Sequence, residues 1–151
     1  MTDYGMQSRR FGSVETINNY ELKIRKVKCR QSLENPDNVA KVAAKLIGDK
    51  AQEHFIVLAT NTRNEVIGYW VAAVGSISSC PVDMRSVFRM AMVVGATSIC
   101  CAHCHPSGYL DPSREDIAVT AKIKDAAKVL DLIFLDHVIV SGSEYYSMRS
   151  R

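Results

Sequence analysis

Long apolar runs are missing from this sequence. No stretch approaches the ~20 residues needed to cross a bilayer, and no apolar segment follows a basic start, so neither a membrane span nor a secretory signal is expected. A strong excess of one charge is also missing. Nineteen Lys and Arg stand against 16 Asp and Glu, a net charge of +3, mild beside the basic concentration of a duplex binder. The local excess at Arg9, Arg10, Lys23, Arg25, Lys26, Lys28 and Arg30 reads as a solvated edge, with direct nucleic-acid binding as the less favoured alternative. The five cysteines, Cys29, Cys80, Cys100, Cys101 and Cys104, do not form the two Cys-x-x-Cys pairs of a structural four-cysteine site. Their odd number without an export signal suits reduced thiols, and hence a cytoplasmic protein. Internal repeats, low-complexity tracts and linkers are absent too, which leaves a single domain.

The residues that are present suit such a domain. Hydrophobic residues make up 47% of the 151, and a chain of this length buries roughly 68–70% of the surface it exposes when unfolded. Residues 1–20 are polar and mixed and read as an N-terminal arm, leaving 21–151 as the folded unit. Residues 20–28 alternate imperfectly and suggest an edge strand. Asn35-Pro36 opens a helix carrying Val39, Val42, Ala43, Leu46 and Ile47, closed by Gly48. Glu53–Thr60 and Val66–Val74 form a strand hairpin about a turn at Asn61–Asn64, and Gly75–Pro81 is a loop. Met84, Val87, Phe88, Ala91 and Met92 define the buried stripe of a middle helix. Thr97–His103 is apolar on both faces and is expected at the centre of the sheet. The helix from Ser113 to about Leu130 uses Ile117, Thr120, Ile123, Ala127 and Leu130. Strands at Phe134–Val140 and Glu144–Met148 close the order, turned by Ser141-Gly142-Ser143.

Chemistry concentrates in His103-Cys104-His105-Pro106-Ser107-Gly108 and the following Ser113-Arg114-Glu115-Asp116. Residues two apart on a strand share a face, so His103 and His105 can offer nitrogens to one point. The Pro-Ser-Gly break lets the chain double back with Asp116. Two His and one Asp leave a fourth position for water, the composition of a catalytic zinc site. A plainer reading also holds: Ser113 and Asp116 form a helix cap, and a His-x-His pair on a strand is common without metal. Alternation sends Cys104 away from the histidines into packing and puts Cys101 on their face. There Cys101 is a small buried hydrophobe, with metal contact as the alternative. His137 on an apolar strand reads as a hydrogen-bonded core residue, with a place beside the metal ligands as the alternative. Tyr69, Trp70, Tyr145 and Tyr146 read as core and sheet-edge aromatics.

The spacing His-x-His, seven residues, Ser, two residues, Asp resembles the JAMM (MPN+) metalloprotease pattern. The surrounding text is similar to its RadC branch: Pro112 to Ile117, Asp136-His137-Val138-Ile139-Val140, Tyr145-Tyr146-Ser147, Glu53-His54-Phe55 and Arg63 to Ile67. The resemblance runs from about residue 30 onward. It departs at Cys104, where the family usually has Asn, at Arg85-Ser86 for a usual Arg-Glu, and at Ala59-Thr60-Asn61 for a Leu-Asp. It implies an α/β JAB1/MPN (cytidine deaminase-like) fold, a mixed central sheet flanked by helices. It further implies Zn²⁺ held by His103, His105 and Asp116, with Glu53 as general base. Ser113 would donate to the oxyanion, and Ser107 would shape the loop beside the metal. The implied activity is hydrolysis of a peptide or isopeptide bond by a metal-activated water. The alternatives are a DNA-repair-linked role or a metal-holding interaction module without turnover. The helix-hairpin-helix region that RadC-like chains commonly carry is not expected in the short stretch ahead of the domain.

Overall fold

Every residue of the strand Ser98–Cys104 is buried, which requires cover on both of its faces. The computed structural model, which describes residues 31–75 and 82–149, meets that requirement with one helix on one face and two on the other. The order of elements is α1 (Pro36–Ile47), β1 (His54–Thr60), β2 (Val66–Val74), α2 (Met84–Val93), β3 (Ser98–Cys104), α3 (Arg114–Val129), β4 (Ile133–Ser141) and β5 (Glu144–Ser147). The sheet runs β2-β1-β3-β4-β5. Strands β3 and β4 are parallel and the other neighbours antiparallel. A parallel pair needs a long crossover, and α3 provides it.

Alternation along β3 sorts its side chains between two cores. Cys100, Ala102 and Cys104 join α1 residues Val39, Val42, Ala43 and Ile47. Ile99 and Cys101 join Val87, Phe88 and Ala91 of α2 and Ile123 and Ala127 of α3. Cys101 and Cys104, an odd number of residues apart, therefore lie on opposite faces.

The helix signals hold locally. Asn35 caps α1 by accepting from the Asn38 amide at 2.9 Å, with Pro36 in the first turn, where its missing N–H costs nothing. Asp83 caps α2, and Ser113 caps α3. The hairpin turn places Asn64 at φ +57°, a conformation Asn tolerates better than most residues. The expected central strand, the β1–β2 hairpin and the β4–β5 turn are all present.

Three packing assignments need correction. Met92 is 55% exposed, Ile117 45% and Leu130 37%. The buried stripe of α3 instead runs through Asp116, Val119, Thr120, Ile123 and Ala127. The helix is rotated so that its first buried position is a carboxylate, which periodicity of apolar residues cannot detect. The arm at 1–20, the strand at 20–28, most of the 75–81 loop and the basic residues up to Arg30 lie outside the described residues.

Gly48 ends α1 against the β4–β5 turn, where Gly142 donates to its carbonyl at 3.1 Å. A Cβ there would sit 2.6 Å from the Ala44 carbonyl oxygen and 2.9 Å from that of Gly142. Both are backbone atoms, so neither can rotate away. Gly48→Ala is expected to lower the free energy of unfolding by about 1–3 kcal/mol. A urea midpoint equal to that of the parent would show that the turn yields freely.

Candidate metal centre

The cluster forms where β3 stops. His103 is the last residue but one of the strand, with no exposed surface. One residue beyond it, the His105 amide donates to the Val140 carbonyl at 3.0 Å, extending the parallel ladder from β4. The chain then turns: the Gly108 amide donates to the His105 carbonyl at 3.1 Å, with Gly108 at φ +86°, where a glycine carries no steric penalty. The crossover returns as α3, whose first turn carries Asp116. A helix N-terminus favours a negative charge, so the carboxylate sits where the backbone dipoles stabilise it.

Three side chains converge there. His103 Nε2 lies 2.9 Å from His105 Nε2 and 3.2 Å from Asp116 Oδ1, and His105 Nε2 lies 3.7 Å from Asp116 Oδ2. Two ligands of a tetrahedral zinc ion at 2.0–2.1 Å stand roughly 3.3 Å apart, and the separations of His103 Nε2 from His105 Nε2 and from Asp116 Oδ1 lie near that value. The Asp116 carboxylate is divided in its duties. Oδ2 accepts from both the amide and the hydroxyl of Ser113, each at 2.7 Å. Oδ1 is buried and has no hydrogen-bond partner. An anionic oxygen stripped of water without a partner is costly, and a cation between it and the two imidazoles removes that cost. His105 fits the same role: its Nδ1 lies 2.6 Å from the Tyr109 carbonyl. A carbonyl only accepts, so Nδ1 carries the hydrogen and Nε2 presents a lone pair. The donor set therefore suits a divalent metal.

Burial keeps His103 neutral and so able to ligate, and His137 beside it neutral as well. Desolvation pushes His103 down to about 4, against the Asp116 charge, which raises it, and with His105, which lowers it further. Desolvation likewise holds His137 well below the usual histidine range. The phenyl ring of Phe55 stacks on His103 with centroids 6.0 Å apart and planes 10° from parallel. The same ring meets His137 edge-on at 5.2 Å.

Glu53 stands immediately before β1 rather than within it. Phe55 pairs with His103 in the β1–β3 register, and the same register continued by two residues sets Glu53 across from His105. Glu53 lines an open cleft of about 360 Å³ with Pro106 and Ser107. Ser113 is the exposed cap of α3, and its hydroxyl both accepts from the Asp116 amide at 3.1 Å and donates to Oδ2. Cys101 packs in the apolar layer below the cluster, beside His137 in the β3–β4 register. Cys104 points to the other face, where its sulfur accepts from the His54 amide at 3.3 Å and approaches the Gln52 carbonyl at 3.4 Å. It thus grips the backbone on both sides of Glu53. His137 contacts His103 directly, Nε2 to Nδ1 at 2.7 Å. Thr120, read from the sequence only as part of a buried stripe, bonds His137 as well. A polar residue one turn after Asp116 was the available signal.

The RadC-like JAB domain model matches residues 33–151. The chain belongs to that family. A UPF0758 protein of Carboxydothermus hydrogenoformans is 39% identical over 116 residues, which cover 77% of this chain and 51% of the relative. One from Bacillus cereus is 37% identical over 122 residues, covering 81% and 54%. Another, from Rubrobacter xylanophilus, is 41% identical over 120 residues, covering 80% and 52%. The chain spans about half the length of the curated relatives it matches. Within this RadC-like JAB domain no helix among the described residues is long and apolar enough to cross a membrane.

The neutral histidines of the domain set its response to acid. Folding depresses His103 from 6.5 to about 4 and moves His137 in the same direction. At pH 7 these groups are neutral whether the chain is folded or not. As pH falls through about 6.5, the unfolded chain takes up protons that the folded one refuses, so stability is lost. Burial raises Asp136, an effect of opposite sign. The urea midpoint of metal-free protein is therefore expected to fall between pH 7 and about pH 5.5. A midpoint that holds or rises over this interval would contradict the neutral histidines.

Proposed function

We propose that this RadC-like JAB domain is a zinc-dependent hydrolase of amide bonds, a metallopeptidase or isopeptidase of the JAMM type. The observation that carries the reading is the buried, unpartnered Asp116 Oδ1 facing His103 Nε2, with His105 Nε2 beside both. A divalent cation held by His103, His105 and Asp116 would act as a Lewis acid, polarising a carbonyl and making water a competent nucleophile near neutral pH.

The chain's own groups supply the rest. Glu53 borders the cleft next to Ser107, where its carboxylate takes a proton from the attacking water and returns it to the leaving nitrogen. Cys104 steadies this position through the backbone of residues 52 and 54. Ser113 stands beside the cluster with its hydroxyl hydrogen directed at Asp116 Oδ2. Turning that hydrogen outward directs it to the oxyanion of the tetrahedral intermediate, while the Ser113 amide keeps Oδ2 satisfied. The open cleft suits a peptide or protein substrate, and a net charge of +3 gives little support for nucleic acid as the direct ligand. The buried thiols of Cys100, Cys101 and Cys104 fit a reducing, cytoplasmic setting.

Metal analysis of the purified protein, paired with a chelator-sensitive peptidase screen, tests the reading. The protein is expected to hold zinc, and His105→Ala to lose it. Glu53→Gln is expected to keep zinc and to lose hydrolysis by about 10²–10⁴-fold. Full turnover in Glu53→Gln would remove Glu53 from the mechanism, and a protein that takes up no divalent metal would end the hydrolase reading.

A further inference from the structure

His103 reaches the cluster through Nε2, and its other nitrogen enters a chain of buried hydrogen bonds. Nδ1 lies 2.7 Å from His137 Nε2. His137 Nδ1 lies 2.6 Å from the Thr120 hydroxyl. That hydroxyl lies 2.6 Å from the main-chain carbonyl of Asp116. His137 has no exposed surface, and Thr120 is 4% exposed.

The last contact decides the direction of all the others. A carbonyl oxygen only accepts, so the single hydrogen of Thr120 is committed to it. Met148 Sδ, at 3.5 Å from the same hydroxyl, is the longer contact and the weaker acceptor. With its hydrogen spent, Thr120 must accept from His137, which therefore carries its hydrogen on Nδ1. A neutral His137 then presents a lone pair at Nε2. Only a hydrogen on His103 Nδ1 satisfies that lone pair, which leaves His103 Nε2 bare towards His105 and Asp116.

We propose that His137 and Thr120 are positioning residues that lock His103 in its metal-accepting tautomer, anchored on the main-chain carbonyl of the residue whose side chain completes the cluster. This rests on the metal centre proposed above, although the tautomer of His137 does not depend on the metal. The lock is closed on itself: β3 supplies His103, β4 supplies His137, and α3 supplies both Thr120 and Asp116. It therefore fixes how far α3 stands from the sheet, and with it the spacing of the donors. The chain of bonds does not export protons, because it ends at a helix carbonyl and both intermediate groups are buried. Partners of this kind orient metal-bound histidines and are worth about 10- to 100-fold in metal affinity.

Long-range ¹H–¹⁵N spectra of the 151-residue protein test the lock. His137 is expected to carry its hydrogen on Nδ1 in metal-free protein, and His103 to do so when loaded with Zn²⁺ alone. Titration of Zn²⁺ against a chromophoric chelator should show affinity lowered about 10- to 100-fold in Thr120→Val, a near-isosteric change, and restored in Thr120→Ser. A hydrogen on His137 Nε2, or a Thr120→Val protein that binds Zn²⁺ as tightly as the parent, overturns the proposal. If the parent takes up no Zn²⁺, the metal centre falls by itself, and the metal-free tautomer of His137 still decides for or against the lock.

Discussion

The carboxylate of Asp116 is the point on which the arrangement turns. It is 1% exposed, and removing an anionic group from water is affordable only when its oxygens are compensated. Ser113 compensates one oxygen with two hydrogen bonds, and the first turn of α3 adds the favourable end of its dipoles. The other oxygen has no hydrogen-bond partner and faces the His103 imidazole. That imidazole is kept uncharged by burial rather than converted into an ion-pair partner. The carboxylate that completes the capping box with Ser113 thus also creates a local demand for positive charge.

The architecture explains why that demand arises at this end of the sheet. Strands β3 and β4 are parallel, and the helix between them must begin near the carboxyl end of β3. Open sheets with parallel strands collect their ligands there, where strand ends and helix N-termini meet. His103 and His105 leave the end of β3, Asp116 enters with α3, and the turn around Gly108 joins them over a short distance. On the opposite face, Cys104 reaches the backbone that leads into β1.

Much of this was legible from local pattern. The cap at Asn35-Pro36, the turn at Asn64 and the apolar run of β3 each declare themselves through the chemistry of a few neighbouring residues. The alternation that separates Cys104 from the two histidines does so as well. The spacing of His103, His105, Ser113 and Asp116 was legible too, because strand alternation and a capping box fix where those side chains point. Facing was harder. Met92, Ile117 and Leu130 fit an apolar stripe by spacing but lie at helix margins where no partner covers them. The orientation of α3 places a carboxylate, Asp116, at its first buried position, which a count of apolar positions treats as a surface residue, whereas Thr120 was legible as part of the stripe.

Sequence by itself determined the ligand-type residues, their order and the elements that carry them, since periods of two and 3.6 residues and capping chemistry act over a few positions. Tertiary structure alone decided that His137 meets His103, that Thr120 faces His137, and that Glu53 stands by the cleft with Ser107. Those pairs are 34, 17 and 54 residues apart in the chain. They come together only because parallel pairing of β3 with β4, and antiparallel pairing of β3 with β1, bring distant strands into register. No local rule encodes that register.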